Sequence, residues 1–248
     1  MQLNPAAAAA GVRLIGYDTI GSTNAEGLSL ARSGEHGPLW VTARTQTAGR
    51  GRRGRVWVSE PGNLYASLVL TDPAPADRRA ELSFVAALAL HDAIGARIPG
   101  VSGRLLLKWP NDLLIDGCKC AGILIEGEGD TAVVGIGVNC THHPSGTDFP
   151  ATDLAAAGLR ASPEKVFEAL TGAMARRLAQ WDRGAGFAAV RADWLKRAAS
   201  LGQDIKVAVT EGTRSGRFET VDDRGNLVLR LPNGSTETIA AGDVLLGH

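Results

Sequence analysis

The sequence predicts an α+β protein, a larger body over residues 1–202 followed by a small β-barrel over residues 203–248. Three observations predict it. Residues 105–138 break into short strands joined by tight turns, the pattern of an antiparallel meander. Helical periodicity flanks that region, over 80–98 before it and from 163 after it. Beyond Gly202 only short strands and turn sequences remain, too few residues for a second large core but enough for a little barrel.

In chain order, Val12–Tyr17 reads as a strand. A helix follows Ser22-Thr23-Asn24 and ends near Gly34, with Thr23 and Glu26 at capping-box spacing. Pro38–Thr45 and Leu64–Thr71 are apolar enough for buried strands. Ala80–Ile98 is the first long helix, with Leu82, Val85, Ala86, Ala89 and Ala93 on one face. The meander comprises Leu105–Leu107, Leu113–Ile115, Cys120–Glu126 and Ala132–Val138, with Asp116-Gly117 as a hairpin signal. Ser162-Pro163-Glu164 starts the next helix with a cap, a proline and an acidic first turn. Phe167, Leu170, Met174, Leu178 and Trp181 form one apolar stripe, and Phe187, Val190, Trp194 and Ala198 another; both read as core. The last strands are Ile205–Thr210, Gly216–Val221, Leu227–Leu231 and Thr236–Ala240.

Composition narrows the function classes. Lys plus Arg equals Asp plus Glu at 26 each, so net charge gives no reason to expect non-specific binding to DNA or membranes. No run reaches the roughly 18 apolar residues of a membrane span, and the alanine-rich start lacks a basic region, so the cytoplasm is the expected compartment. Three cysteines, Cys118, Cys120 and Cys140, form no disulfide framework. Cys140 with His142 and His143 matches no zinc spacing, and no structural metal is expected.

Four segments could carry chemistry. Gly49–Arg55 packs four arginines and three glycines into seven positions. Glycine lets backbone approach an anion, and guanidinium forks match phosphate or carboxylate. Such a loop should be hard to order when empty, since its arginines repel; a flexible nucleic-acid-binding loop is the equal alternative. Lys108-Trp-Pro-Asn-Asp112 sets a lysine and a carboxylate about a proline turn, suited to phosphate and Mg²⁺, or simply an ordinary turn with an ion pair. Lys119–Glu126 opens with a lysine and places Gly122 where a ligand could approach backbone, or is a plain strand. Gly135-Ile-Gly-Val-Asn139 has two strand glycines that imply close packing against bare backbone, or a bulge; the dinucleotide fingerprint fails at Cys140. No serine elbow, His-Glu-x-x-His or Cys-x-x-Cys is present, so chemistry by positioned charge fits better than a protein nucleophile.

In this order, and with Ser22-Thr23-Asn24 and Gln46, the four segments resemble the biotin–protein ligase family over the chain from about Gly16 onward. The resemblance implies a catalytic domain like that of class II aminoacyl-tRNA synthetases, with a mixed, largely antiparallel sheet, and a C-terminal SH3-like barrel. It implies ATP with Mg²⁺, biotin as substrate, formation of biotinyl-5′-AMP, and transfer to a lysine of a biotin carboxyl carrier domain. It assigns Ser22, Thr23, Asn24, Gln46, Arg50, Gly51, Gly122 and Gly137 to biotin, although Thr23 could serve only as a cap. Arg52 and Lys119 are implied at the carboxylate and α-phosphate and Lys108 at phosphate. Asp112 is implied at Mg²⁺ or the incoming lysine. Arg50, Arg52, Arg53, Arg55, Trp57, Lys108, Asn111 and Asn139 are implied at the nucleotide. Position 120 is Cys where the family usually has a larger apolar residue. About 15 residues precede the first catalytic strand, too few for the winged helix of the family's repressors, so no DNA binding is expected. A monomer or homodimer fits equally. The other readings are a nucleic-acid module built on the arginine loop, which leaves Lys108 and Lys119 unexplained, and a lipoate ligase, whose Arg-Arg-x-x-Gly-Gly pattern is absent.

Overall fold

The computed structural model describes residues 1–97, 101, 103–147 and 149–245. Along the chain these form α1 (Pro5–Ala9), β1 (Arg13–Ile20), α2 (Thr23–Arg32), β2 (Leu39–Gln46), β3 (Leu64–Thr71) and α3 (Leu82–Arg97). Then come β4 (Leu105–Lys108), β5 (Asp112–Ile115), β6 (Cys118–Glu128), β7 (Thr131–Val138), α4 (Pro163–Trp181) and α5 (Phe187–Leu195). The last elements are β8 (Asp204–Val209), β9 (Gly212–Val221), β10 (Leu227–Arg230), β11 (Thr236–Ile239) and β12 (Asp243–Leu245).

The first seven strands make one mixed sheet in the order β1-β2-β3-β7-β6-β5-β4. Only β1 and β2 run parallel, because α2 carries the chain back between them; every other pair is antiparallel. Strand alternation divides the two faces. Trp40, Leu64, Ala66, Leu68, Val134 and Ile136 point toward α3 and α4, while Leu39, Val41, Val69 and Val133 pack with Leu28 and Leu30 of α2. The second sheet, β11-β10-β9-β8-β12, is antiparallel throughout. Its Val207, Phe218, Leu227 and Leu229 join the same buried cluster as α3, α4 and α5.

Several expectations change. The helix expected from Ala80 starts at Leu82 after a 3-10 turn over Ala76–Glu81, and Ile98 lies outside the described residues. Its apolar residues do not form one face: Phe84, Ala87, Leu88, Leu90 and Ile94 are buried with the expected five, because α3 lies between the sheet and α4 and α5. The cap of α2 is Ser22, whose Oγ accepts from Ala25 N at 3.5 Å, rather than Thr23. Thr23 turns inward instead, and Glu26 accepts a hydrogen bond from the Tyr17 hydroxyl. The alanine run forms α1, whose Asn4 cap sits over Gly172 and takes a backbone contact from its own N–H to Thr171 Oγ1 at 2.9 Å. Strand β12 was not anticipated; three residues are too few for an alternation signal. Cys120 is fully buried in the core, so its small size is a matter of packing.

Candidate active site

One row of the large sheet builds the site. Ala43 of β2 pairs Tyr65 of β3, Tyr65 pairs Gly137 of β7, Gly137 pairs Gly122 of β6, Gly122 pairs Asp112 of β5, and Asp112 pairs Lys108 of β4. Paired residues share a face, so the two glycines leave a bare floor between Tyr65 and the Asp112–Lys108 end. The next row on that face is Ser67, Gly135 and Leu124. The floor carries a cavity of about 570 Å³, walled by the start of α2, the arginine loop, the loop after β7 and the end of the second sheet.

At the polar end, α2 delivers Ser22, Thr23 and Asn24, all buried. Gln46 Oε1 accepts from Thr23 N at 2.8 Å and lies 3.1 Å from Thr23 Oγ1. Asn24 Nδ2 donates to Glu126 at 2.8 Å and to Leu124 O at 3.2 Å. A side chain at position 135 would overlap the Asn24 amide, which explains the first glycine of β7. These neutral donors and acceptors suit an uncharged polar ring such as an amide or urea.

At the charged end, Asp112 is buried between two ammonium groups, Lys119 Nζ at 2.6 Å and Lys108 Nζ at 3.1 Å. Burial pushes the Asp112 carboxyl up, but the charges of Lys119 and Lys108 and their hydrogen bonds outweigh it, holding the group below its ordinary range. Lys108 Nζ also donates to Val244 O at 3.3 Å and lies 4.7 Å from the centre of the Phe149 ring. Lys119 Nζ lies 5.5 Å from the Trp57 ring. Two cations share one anion here, leaving positive charge for a carboxylate or phosphate.

The arginine loop is a short hairpin. Arg50 bridges Val56, Gly51 N donates to Arg55 O at 2.7 Å, and Arg53 and Gly54 turn the chain with φ of 55° and 72°. The expected repulsion among the arginines is offset by carboxylates. Arg50 meets Glu126 at 3.1 Å, while Arg52 and Arg55 meet Asp243 of β12 at 3.0 and 2.6 Å. Arg52 also donates to Asn111 Oδ1 at 3.3 Å and to Gly242 O at 3.2 Å. Its pKa is lowered by burial, against the pull of Asp243 and Asp112, yet a guanidinium stays cationic at neutral pH. Trp57 lies flat on the floor: a Cβ at Gly137 would meet its ring at 2.6 Å, and one at Gly122 at 3.1 Å.

The cavity thus gathers Ser22, Thr23, Asn24, Gln46, Arg50, Gly51, Arg52, Arg55, Trp57, Lys108, Asn111, Asp112, Lys119, Gly122, Gly137 and Asn139. Arg53 is not among its lining residues; it points to the outer side of Asp243 at 3.7 Å. Trp109 turns the opposite way, donating from Nε1 to Gly225 O beneath the second sheet. Sequence reasoning missed Phe149, Tyr65 and Asp243, which line the cavity. Tyr65 belongs to the strand alternation and could have been found from it; Phe149 and Asp243 arrive through loop and sheet packing that no local pattern announces. His143 pairs Asp153 at 2.6 Å and His142 faces Glu60 at 3.8 Å, and among the described residues no three His, Cys, Asp or Glu gather as metal ligands. No helix among the described residues is long and apolar enough to cross a membrane.

Known proteins share this fold and much of this sequence. Residues 18–141 match the biotin/lipoate A/B protein ligase family, and residues 200–247 match the biotin protein ligase C-terminal domain. The chain is 45% identical to a biotin–[acetyl-CoA-carboxylase] ligase of Paracoccus denitrificans, over 91% of this chain and 97% of that one. It is 32% identical to the bifunctional ligase/repressor BirA of Bacillus subtilis, over 96% of this chain and 75% of that one. In three dimensions it resembles the biotin protein ligase of Aquifex aeolicus in complex with biotin and ATP, with a TM-score of 0.80, 26% identity, and coverage of 94% and 97%. With a class II synthetase-like mixed sheet, a C-terminal antiparallel sheet and near-full-length similarity at 45% identity, the chain belongs to the biotin protein ligases.

Proposed function

We infer that the chain activates biotin with ATP and transfers it to a lysine of a biotin carboxyl carrier domain. The observation that carries this reading is the polarity of one cavity, neutral amides and hydroxyls at one end and Arg52, Lys108 and Lys119 at the other. A ligand with an uncharged polar ring and a carboxylate tail fits that gradient.

In the first half-reaction a biotin carboxylate oxygen attacks the α-phosphorus of ATP, and pyrophosphate leaves with the electrons of the broken P–O bond. Thr23, Asn24 and Gln46 hold the ring, with Ser22 at the cap beside them. Gly122 and Gly137 lie beneath it, and Trp57, assigned to the nucleotide, lies flat against that floor. Lys119 and Arg52 stabilise charge on the carboxylate and α-phosphate, and Lys108 the charge on phosphate. Arg50, Gly51 and Arg55 close over the nucleotide, with Asn111 and Asn139 beside it; Arg53 assists from outside through Asp243. In the second half-reaction the carrier amine attacks the acyl carbon, AMP leaves, and the amine loses a proton.

Mg²⁺ would enter with ATP and would supply charge neutralisation there. Asp112 offers the hard oxygen donors such an ion takes, once Lys108 and Lys119 turn to phosphate. Residues 1–202 serve as the catalytic unit, with 203–248 as an appended unit that completes the cavity wall. The enzyme acts on the carrier domain as a monomer or homodimer in the cytoplasm.

The test is incubation with ATP, labelled biotin and a carrier domain. Labelled carrier is expected; none, where a control ligase labels the same carrier, overturns the reading. A nucleic-acid module predicts instead salt-dependent DNA retention without turnover.

A further inference from the structure

The loop after β7 is tied into the large sheet at both of its stems. On the first stem, Asn63 is buried; its Oδ1 accepts from Cys140 N at 2.8 Å and Thr141 N at 3.1 Å, and its Nδ2 donates to His142 O at 3.0 Å. On the second, Lys119 N donates to Pro150 O at 2.7 Å, Thr152 N to Lys119 O at 2.9 Å, and Leu154 N to Asn139 O at 3.0 Å. Asn139 Nδ2 closes the set by donating to Thr152 O at 3.0 Å. The stems therefore hang on the backbone of Lys119 and Asn139, two residues that line the cavity.

One side-chain pair runs directly between the stems. His143 Nδ1 lies 2.6 Å from Asp153 Oδ2, and Asp153 Oδ1 accepts from Ala156 N at 2.6 Å. Asp153 is buried, and its bond to Ala156 fixes the direction of the carboxylate; a carboxylate only accepts, so the imidazole donates. Neither residue is among those that line the cavity, but Pro144, Gly146, Thr147, Phe149 and Ala151 between them are, and the Phe149 ring stands 4.7 Å from Lys108 Nζ. The fold does not depend on the pair. Asn63 and the backbone already hold both stems, and the His143 side chain is 34% exposed, where such a contact adds little stability.

We propose that His143 and Asp153 are positioning residues for the nucleotide. Their contact sets the separation of the two stems, and with it the reach of Phe149 and its neighbours toward Lys108. Joining the stems also shortens the free span of chain, so less conformational entropy is lost when the nucleotide seats. This rests on the biotin-ligase reading, which puts ATP at the charged end of the cavity. Ser22, Thr23, Asn24 and Gln46 stand on other elements, so the pair acts on ATP and leaves biotin alone.

Biotin-dependent exchange of labelled pyrophosphate into ATP is measured on the full-length chain with Mg²⁺, alongside biotin affinity by calorimetry and the melting temperature. His143→Ala should raise the KM for ATP about ten-fold, the effect of losing one hydrogen bond to a charged group, with biotin affinity and melting temperature unchanged. His143→Asn keeps an N–H near the place of the imidazole Nδ1 and should restore most of the ATP affinity. An unchanged KM for ATP in His143→Ala overturns the proposal, as does a KM that stays equally high in His143→Asn. Biotin affinity or melting temperature falling in step with the ATP effect assigns the pair to the fold and overturns it as well. Each of these results leaves the functional reading standing. A wild-type chain without biotin-dependent exchange overturns that reading, and the proposal with it.

Discussion

Arg52 shows how one side chain can hold a loop while facing the charged end of a cavity. Its guanidinium already contacts Asn111, Gly242 and Asp243, so it reaches the charged end of the cavity without reorganising. Arg52→Gly should let the acyl-adenylate escape and label bystander lysines; mass spectrometry of a mixture of carrier and an unrelated protein checks this, and unchanged selectivity contradicts it. Asp112 is more deeply buried than Arg52. Replacing it with Asn leaves Lys108 and Lys119 facing each other without an anion, and breaking a buried pair typically costs roughly 3–5 kcal/mol. Urea denaturation of Asp112→Asn should show a loss of that order. A loss below about 1 kcal/mol, the level of exposed pairs, would mean that the cluster is effectively solvated.

Among the elements, β7 departs most clearly from ordinary strand composition. Gly135 and Gly137 each weaken it by about 0.5–1 kcal/mol relative to alanine. Their positions answer to Asn24 and Trp57, which occupy the space a Cβ would take. Gly137→Ala should therefore lower biotin affinity at least about ten-fold while leaving the melting temperature near or above wild type; equal affinity measured by calorimetry would show that Trp57 can shift freely. The helices supply a pH-dependent contact. Asp193 of α5 is held down to about 2, chiefly by its hydrogen bond from Arg177 of α4, which also meets Asp92 of α3 at 2.8 Å. A carboxyl depressed in the folded state stabilises above its ordinary value of 3.8, and that contribution is lost as pH falls toward about 2. Asp193→Asn should flatten the acid side of the stability profile between those values. The effect should stay below about 1 kcal/mol, because the group is only partly buried and solvent screens the pair; denaturation midpoints at pH 7 and pH 3 check it. Elements of this kind were legible where apolar runs or caps are strong, as in β3, β7 and the Ser162-Pro163 start of α4. Periodicity did not reveal that α3 is buried all round, since a uniformly apolar helix has no face to read.

Over the whole molecule, the two sheets share one buried cluster, and β12 closes the cavity from the C-terminal side. Asp243 collects Arg52, Arg53 and Arg55 across nearly 200 residues of sequence, a contact fixed by tertiary packing and silent in local pattern. The glycine floor, the two lysines and Asp112 were legible as motifs because each marks a departure from ordinary strand chemistry. Their convergence was not, because it depends on six strands in register along one row. In the proposed reaction a carboxylate placed at Lys119 and Arg52 attacks ATP before any carrier is present. The direct measurement is exchange of labelled pyrophosphate into ATP by the purified chain with Mg²⁺ and no carrier. The account predicts exchange that requires biotin and falls sharply in Lys119→Ala, with thermal stability largely kept. Exchange without biotin, or none under conditions where a control ligase exchanges, would contradict it.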